Sequence, residues 1–319
     1  MSTEFLAIKE YSDLSQETIA ERMQHYQPCI FRGLVNTWPM VELAKRSTHE
    51  LLQHLVNHDS GMDVDAIMLR PEHLGRVFYN EVLDGFNFIK NRLPLTKVLE
   101  QLFRYAQLPS SPSVAVQSAL MSVCLPSLLA DHAMPLVPQE IIPRIWVGNK
   151  ITTPTHIDGS DNIACVVSGR RQFILFPPEQ IANLYIGPLD FAPTPSPISM
   201  VNLRDPDLLR YPRFAEALKH AQTAILEPGD AIFIPNLWWH HVESLDQINI
   251  LANYWWGGSN FSTENKTSPY GLLMQALLGF KDLPPAQREA WGSIFQHYVF
   301  SSTHPASHLP ERLHGVLQR

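Results

Sequence analysis

The sequence predicts a mainly β fold, an antiparallel sandwich or small barrel, with helices before it and a helical hairpin after it. Three observations carry this reading. From about residue 140 the chain breaks into short apolar runs bounded by Gly, Pro, Asn and Asp: IPRIWVG, NIACVVSG, RRQFILFPP, TAILEPGD, AIFIPNLWW and INILANYWW. Even spacing of this kind belongs to antiparallel strands. Upstream, apolar residues recur mostly at helical spacing, and after residue 268 they do so again.

Taken in order, SQETIAERMQHY opens the helical part, with Ser15 as its cap and Ile19, Met23 and Tyr26 on one face. PCIFRGL (28–34) reads as a short buried strand. The 26 prolines are spread widely, with local concentrations in PSSPS (109–113) and GPLDFAPTPSPIS (187–199), both expected as surface loops. Pro228, Gly229 and Asp230 make a turn before the buried strand AIFIP. Near the C-terminus GLLMQALLGF (271–280) and AQREAWGSIFQHYVF (286–300) flank a Pro-Pro turn, the pattern of an αα-hairpin. Leu272, Leu273, Ala276, Leu277 and Phe280 form one apolar stripe; Trp291, Ile294, Phe295, Tyr298 and Val299 form another. Together they exceed what one-sided packing must bury.

A chain of 319 residues, 45% hydrophobic and 17% charged, holds one large or two ordinary globular domains. Its formal charge of -7 gives no general attraction to phosphate backbones or anionic membranes, so nucleic acid is a disfavoured partner. Cys29, Cys124 and Cys165 are too scattered for a disulfide framework or a zinc finger. The N-terminus is charged where a signal core would be apolar, and no stretch approaches the roughly 18 apolar residues of a membrane span. A cytoplasmic protein is expected.

The chemistry begins in TPTHIDGSDN, where His156 and Asp158 stand two apart and would share one face of a strand, with Asn162 there too if the strand continued. Alone, this pair arises readily by accident in a chain with 14 histidines. A second cluster lies 84 residues beyond His156, where two tryptophans lead into His240 and His241. A histidine behind bulky aromatics occupies a dry position suited to a neutral imidazole ligand. Two imidazoles and one carboxylate make a facial triad for Fe(II), although a zinc site can use the same ligand types. Arg171, opening the next strand, offers a planar fork to the distal carboxylate of a 2-oxo acid. Thr153, Asn162 and Asn253 are further polar candidates.

In register, TPTHID with Asn162, GRRQFILFPPEQ, PGDAIFIPNLWWHHVES and NYWW resemble the JmjC or cupin-like 2-oxoglutarate dioxygenases, particularly those similar to the asparaginyl hydroxylase that inhibits hypoxia-inducible factor. PCIFRGLVNTWP and GRVFYNEVLDGFNF look like elements of the bacterial cupin-like branch. The resemblance implies a double-stranded β-helix (jelly-roll) core over 131–260. A helical and strand region, 1–130, would pack on it, and 261–319 would form a helical dimerisation element. It makes His156, Asp158 and His240 the ligands of Fe(II), with 2-oxoglutarate and O2 as cosubstrates, and leaves His241 a structural neighbour. Thr153, Asn162 and Asn253 would line the cosubstrate pocket. Arg171 falls where the asparaginyl hydroxylase has a lysine. The matching region SVAVQSAL lacks that enzyme's tyrosine, and Gln117 is the candidate in its place. Asp158 fills the carboxylate position that a halogenating relative would leave open. The implied activity is hydroxylation of a protein or peptide side chain or a small amino-acid-like molecule, with demethylation as a variant. A non-catalytic binding or scaffold protein that retains a metal pocket is the competing class. The segments 180–222 and FYNEVLDGFNF are expected to cover the pocket mouth.

Overall fold

Short strands bounded by turn residues need neighbours to bury their apolar faces, and here they find them in two sheets. The structure, a computed structural model, describes residues 5–108, 110–257 and 268–318. It divides into two compact units, residues 1–261 and 262–319. The boundary expected at 260/261 lies outside the described residues.

The first unit is a jelly-roll with flanking helices. Its smaller sheet has the order Leu6–Ala7, Gln222–Leu226, Arg171–Phe176, Trp239–Ser244, Thr152–His156. The larger runs Lys9–Tyr11, Cys29–Phe31, Ala231–Ile234, Asp161–Ser168, Asn249–Trp256, Arg144–Gly148, Ser113–Leu120, Asp63–Leu69, Phe88–Pro94. The region before residue 130, read as mostly helical, therefore also supplies six strands to these sheets.

Alternation decides which side chains meet. Phe173, Leu175 and Val242 of the smaller sheet pack with Ala164, Val166, Ile232, Ile234 and Leu251 of the larger, forming the layer between the sheets. The intervening residues of the larger sheet, such as Cys165, Phe233 and Ala252, face outward into a second core. That core is closed by the helices Pro39–Arg46, Thr48–His58 and Leu95–Tyr105 through Met40, Leu51, Leu55, Val98 and Leu102. Full burial of each such side chain contributes about 1.5–3 kcal/mol. The outer face of the smaller sheet is covered by Leu184, Val201 and Phe214, from the long segment before Gln222.

Local signals hold where they have a mechanism. Ser15 caps the helix Gln16–Met23 by accepting from the Thr18 amide. Gly169 has φ +70°, and a Cβ there would meet the Ile248 carbonyl at 2.4 Å, so glycine is required in the turn that launches Arg171–Phe176. The two proline-rich stretches are not surface loops throughout. Ser113 is buried at the start of its strand, and in the second stretch Ser196, Ile198 and Ser199 are buried, Ile198 bridging His156. Pro109 lies outside the described residues.

In the second unit the helices Pro269–Phe280 and Pro285–Tyr298 form the hairpin, with Phe280 against Trp291 and Phe295 at ring centroid distances of 5.2 and 5.7 Å. Among the described residues no helix is long and apolar enough to cross a membrane.

Candidate metal centre

His156 ends the strand Thr152–His156 and stands directly opposite His240 in the antiparallel ladder. This pairing brings their ring centroids to 4.1 Å. Asp158 is not on that strand, contrary to the simple alternation expected from the sequence. It lies in the turn that follows, fixed by a hydrogen bond from the Leu237 amide to its carbonyl. Leaving the strand lets the carboxylate turn back toward the histidines, and Oδ2 comes 3.5 Å from His240 Nε2. One ligand atom each from His156, Asp158 and His240 lie within 4.8 Å of one another.

The backbone also sets the tautomers. His156 Nδ1 is 2.9 Å from the Pro154 carbonyl and His240 Nδ1 is 3.0 Å from the Trp238 carbonyl. A carbonyl only accepts, so each Nδ1 carries the proton and each Nε2 lone pair is free for a metal. Burial, helped by the neighbouring His240, pushes the His156 imidazolium down to about 4, which keeps it in the neutral ligand form. Burial raises the Asp158 carboxyl, but the neighbouring imidazoles and the Trp255 indole outweigh it and hold it below the ordinary range. Trp255 Nε1 donates to Asp158 Oδ2 at 3.1 Å. Two imidazoles and a carboxylate, presented from one side, are the donor set of a facial site. This donor set fits Fe(II), which His156, Asp158 and His240 would hold.

Arg171 lies on the inner face of the same sheet, paired with Ser244, four residues along from His240. At about 3.3 Å per residue this is about 13 Å from the His240 level. Its side chain is buried, and Nε has no hydrogen-bond partner among the described residues. Burial pushes the guanidinium down to about 10. Thr153 pairs with Val242, between the two levels. Asn162 belongs to the opposite sheet, not to the strand of His156. There Asn253 Nδ2 donates to Asn162 Oδ1 at 2.8 Å, leaving Asn253 Oδ1 buried without a partner among the described residues. Gln117 is half-buried where the ladder shifts register, so that Gln117 and Ser118 together oppose Trp146.

His241 points to the other face of its strand and bonds Glu243 at 3.0 Å, apart from the triad. The segments 180–222 and FYNEVLDGFNF touch each other: Tyr79 Oη donates to the Phe191 carbonyl at 2.7 Å, and Phe86 stacks on Phe191 at 5.1 Å. Trp255 and Trp146, which meet edge to face at 6.3 Å inside the barrel, were given no part in the site from the sequence. The alternation that put Asn253 on the inner face puts Trp255 there too, and was the available signal.

Comparison with known proteins follows the same lines. A family described as a cupin-like domain matches residues 15–262. The lysine-specific demethylase JMJ31 of Arabidopsis thaliana is 41% identical over 120 residues, 37% of this chain and 21% of that protein. HSPB1-associated protein 1 of Homo sapiens is 39% identical over 113 residues, 35% of this chain and 22% of that protein. The tRNA wybutosine-synthesizing protein 5 of Danio rerio is 26% identical over 315 residues, 90% of each chain. The match thus spans about a fifth of the first two relatives and nearly all of the third.

Proposed function

Because the chain belongs to the cupin-like domain family, we propose that it is an Fe(II)- and 2-oxoglutarate-dependent dioxygenase that hydroxylates a protein side chain or a small amino-acid-like substrate. One observation carries the reading: the buried guanidinium of Arg171, without a partner among the described residues, faces the same barrel interior as a cluster of two histidines and an aspartate. A buried cation without a counter-charge is costly, and an anionic ligand relieves that cost.

His156, Asp158 and His240 would hold the metal, and Fe(II) with 2-oxoglutarate and O2 supplies the oxidation of a C–H bond. The protein's part is positional. Arg171 would clasp the distal carboxylate in a two-point hydrogen bond, which a lysine cannot reproduce. Thr153, Asn162, Asn253 and Gln117 would line the cosubstrate pocket. The Trp255 indole fixes the rotamer of Asp158 and occupies one lone pair of Oδ2. The packed rings of Tyr79, Phe86 and Phe191 would form an apolar rim that favours exclusion of water.

The relatives differ in what their names say they act on, a lysine in one and tRNA in another. The formal charge of -7 favours the protein or amino-acid side of that choice. Demethylation is the same chemistry when the hydroxylated carbon is bonded to nitrogen. Three buried free thiols, Cys29, Cys124 and Cys165, suit a reducing, cytoplasmic setting. Exposed Leu272, Leu277, Leu278, Trp291, Ile294 and Tyr298 support a homodimer through the hairpin. A monomeric mass in solution at micromolar concentration would contradict that.

The test of function is succinate formation by purified protein with Fe(II), ascorbate and 2-oxoglutarate, with +16 Da products sought in a host lysate. Turnover is expected in the wild type and not in Asp158→Ala. No turnover above that control with any substrate would leave the non-catalytic binding class standing instead.

A further inference from the structure

Arg76 repeats the signature of Arg171 on the opposite face of the smaller sheet. Its backbone bridges Thr152 in parallel, extending the sheet by one step. Thr152 pairs with Glu243, and Glu243 with Gln172, so Arg76, Thr152, Glu243 and Gln172 form one polar row across the outer face. His241 projects from the same face two residues before Glu243.

Glu243 is fully engaged within this row. Arg204 grips its carboxylate with Nε at 3.0 Å and Nη2 at 2.8 Å, and His241 Nε2 donates to it at 3.0 Å. The remaining groups are buried and unsatisfied among the described residues: Arg76 Nη2, Thr152 Oγ1 and His241 Nδ1. The Arg76 guanidinium lies 3.6 Å over the Phe78 ring, which fixes its plane. Burial holds that guanidinium down at about 10, and no ion pair to it forms among the described residues. Of the two arginines beside this row only Arg204 engages the Glu243 carboxylate, so the row carries one cation in excess.

The hydrogen-bonding roles select the ligand. Arg76 Nη2 and the Thr152 hydroxyl donate. His241 already gives its Nε2 proton to Glu243, so its Nδ1 offers a lone pair and needs a donor. We propose that the outer face of the smaller sheet, at Arg76, Thr152 and His241, is a second ligand site that binds a proton-bearing oxyanion of the phosphate class. The phosphate oxygens would take the arginine and threonine donors, and its P–O–H group would donate to His241 Nδ1. Sulfate, which carries no proton at neutral pH, lacks that last bond.

The experiment is calorimetric titration of the full chain, metal-free, at pH 7.5 and constant ionic strength, with inorganic phosphate, sulfate and acetate in turn. Saturable phosphate binding is expected, with sulfate and acetate at least tenfold weaker. Arg76→Leu should weaken phosphate at least tenfold and Thr152→Val several-fold, while both variants keep the wild-type circular dichroism spectrum and bind Mn(II) as the wild type does. Arg171→Met should leave phosphate binding unchanged. The proposal is overturned by phosphate and sulfate binding alike, by no saturable binding, or by loss in Arg171→Met with retention in Arg76→Leu.

Discussion

Replacing Arg171 by methionine should have two effects of opposite sign. Methionine keeps the unbranched reach of the side chain and most of its volume while removing the charge. In the free protein the guanidinium is 8% exposed, and burial lowers it from 12.5 to about 10. At about 1.36 kcal/mol for each tenfold in acidity, that drop corresponds to about 3 kcal/mol of uncompensated burial. Arg171→Met removes this cost, so the free variant should be as stable as the wild type or more so, by up to about 3 kcal/mol. Binding of 2-oxoglutarate should fail in the same variant. Truncating one partner of a buried charge pair costs about 2–5 kcal/mol, or roughly 30-fold to several thousand-fold in Kd. Thermal scans without ligand and anaerobic titration of 2-oxoglutarate with Mn(II) in place give both quantities. Arg171→Lys should recover part of the affinity, since the charge returns without the fork. A variant that loses stability yet binds 2-oxoglutarate like the wild type would refute the assignment of Arg171 to the cosubstrate.

Two other predictions come from the same site and its reverse face. Trp255→Phe removes the indole donor to Asp158 Oδ2 while keeping an aromatic ring, so metal affinity should fall about 10- to 100-fold with the fold unchanged, measured by Co(II) or Mn(II) titration; wild-type affinity would show the bond to be idle. Burial raises the Glu243 carboxyl, but hydrogen bonds from His241 and Arg204 outweigh it and hold it at about 2, below its ordinary 4.5. A group depressed on folding stabilises above its unfolded value, so up to about 3 kcal/mol present above pH 4.5 should be lost progressively toward pH 2. His241, lowered by burial, adds a loss of the same sign below about 6.5. Urea unfolding of wild type and Glu243→Gln between pH 7 and 3 should give a flatter profile in the variant, and parallel profiles would contradict this.

The sequence made some of this readable and hid the rest for physical reasons. Apolar runs such as AIFIP and INILANYWW are buried on both faces, so the runs themselves marked the strands. The strand Phe88–Pro94 sits at a sheet edge with most of its residues exposed on both faces, and nothing in FIKNRLP alternates. His156 and His240 share a face because a ladder pairs them, which strand periodicity anticipates. Asp158 breaks that periodicity by leaving the strand, and no local rule foretells where a turn aims a side chain. Partners distant in sequence were hidden too. Trp255 meets Asp158 across 97 residues, and Arg76 reaches Thr152 only through a single bridge beyond the sheet edge. Arg171 stood out because a Gly-Arg-Arg turn opens its strand, yet its lack of a partner among the described residues is a property of the folded interior alone.

In the proposed enzyme one interior pocket would hold Fe(II) on His156, Asp158 and His240 and a 2-oxo diacid against Arg171. Anaerobic addition of 2-oxoglutarate to the Fe(II)-loaded protein tests it most directly, because the cosubstrate must chelate the metal to change its visible absorption. A weak charge-transfer band should appear in the wild type, be absent in Asp158→Ala, and require much higher 2-oxoglutarate in Arg171→Met. Tightly bound Fe(II) that stays colourless at saturating 2-oxoglutarate would contradict the account.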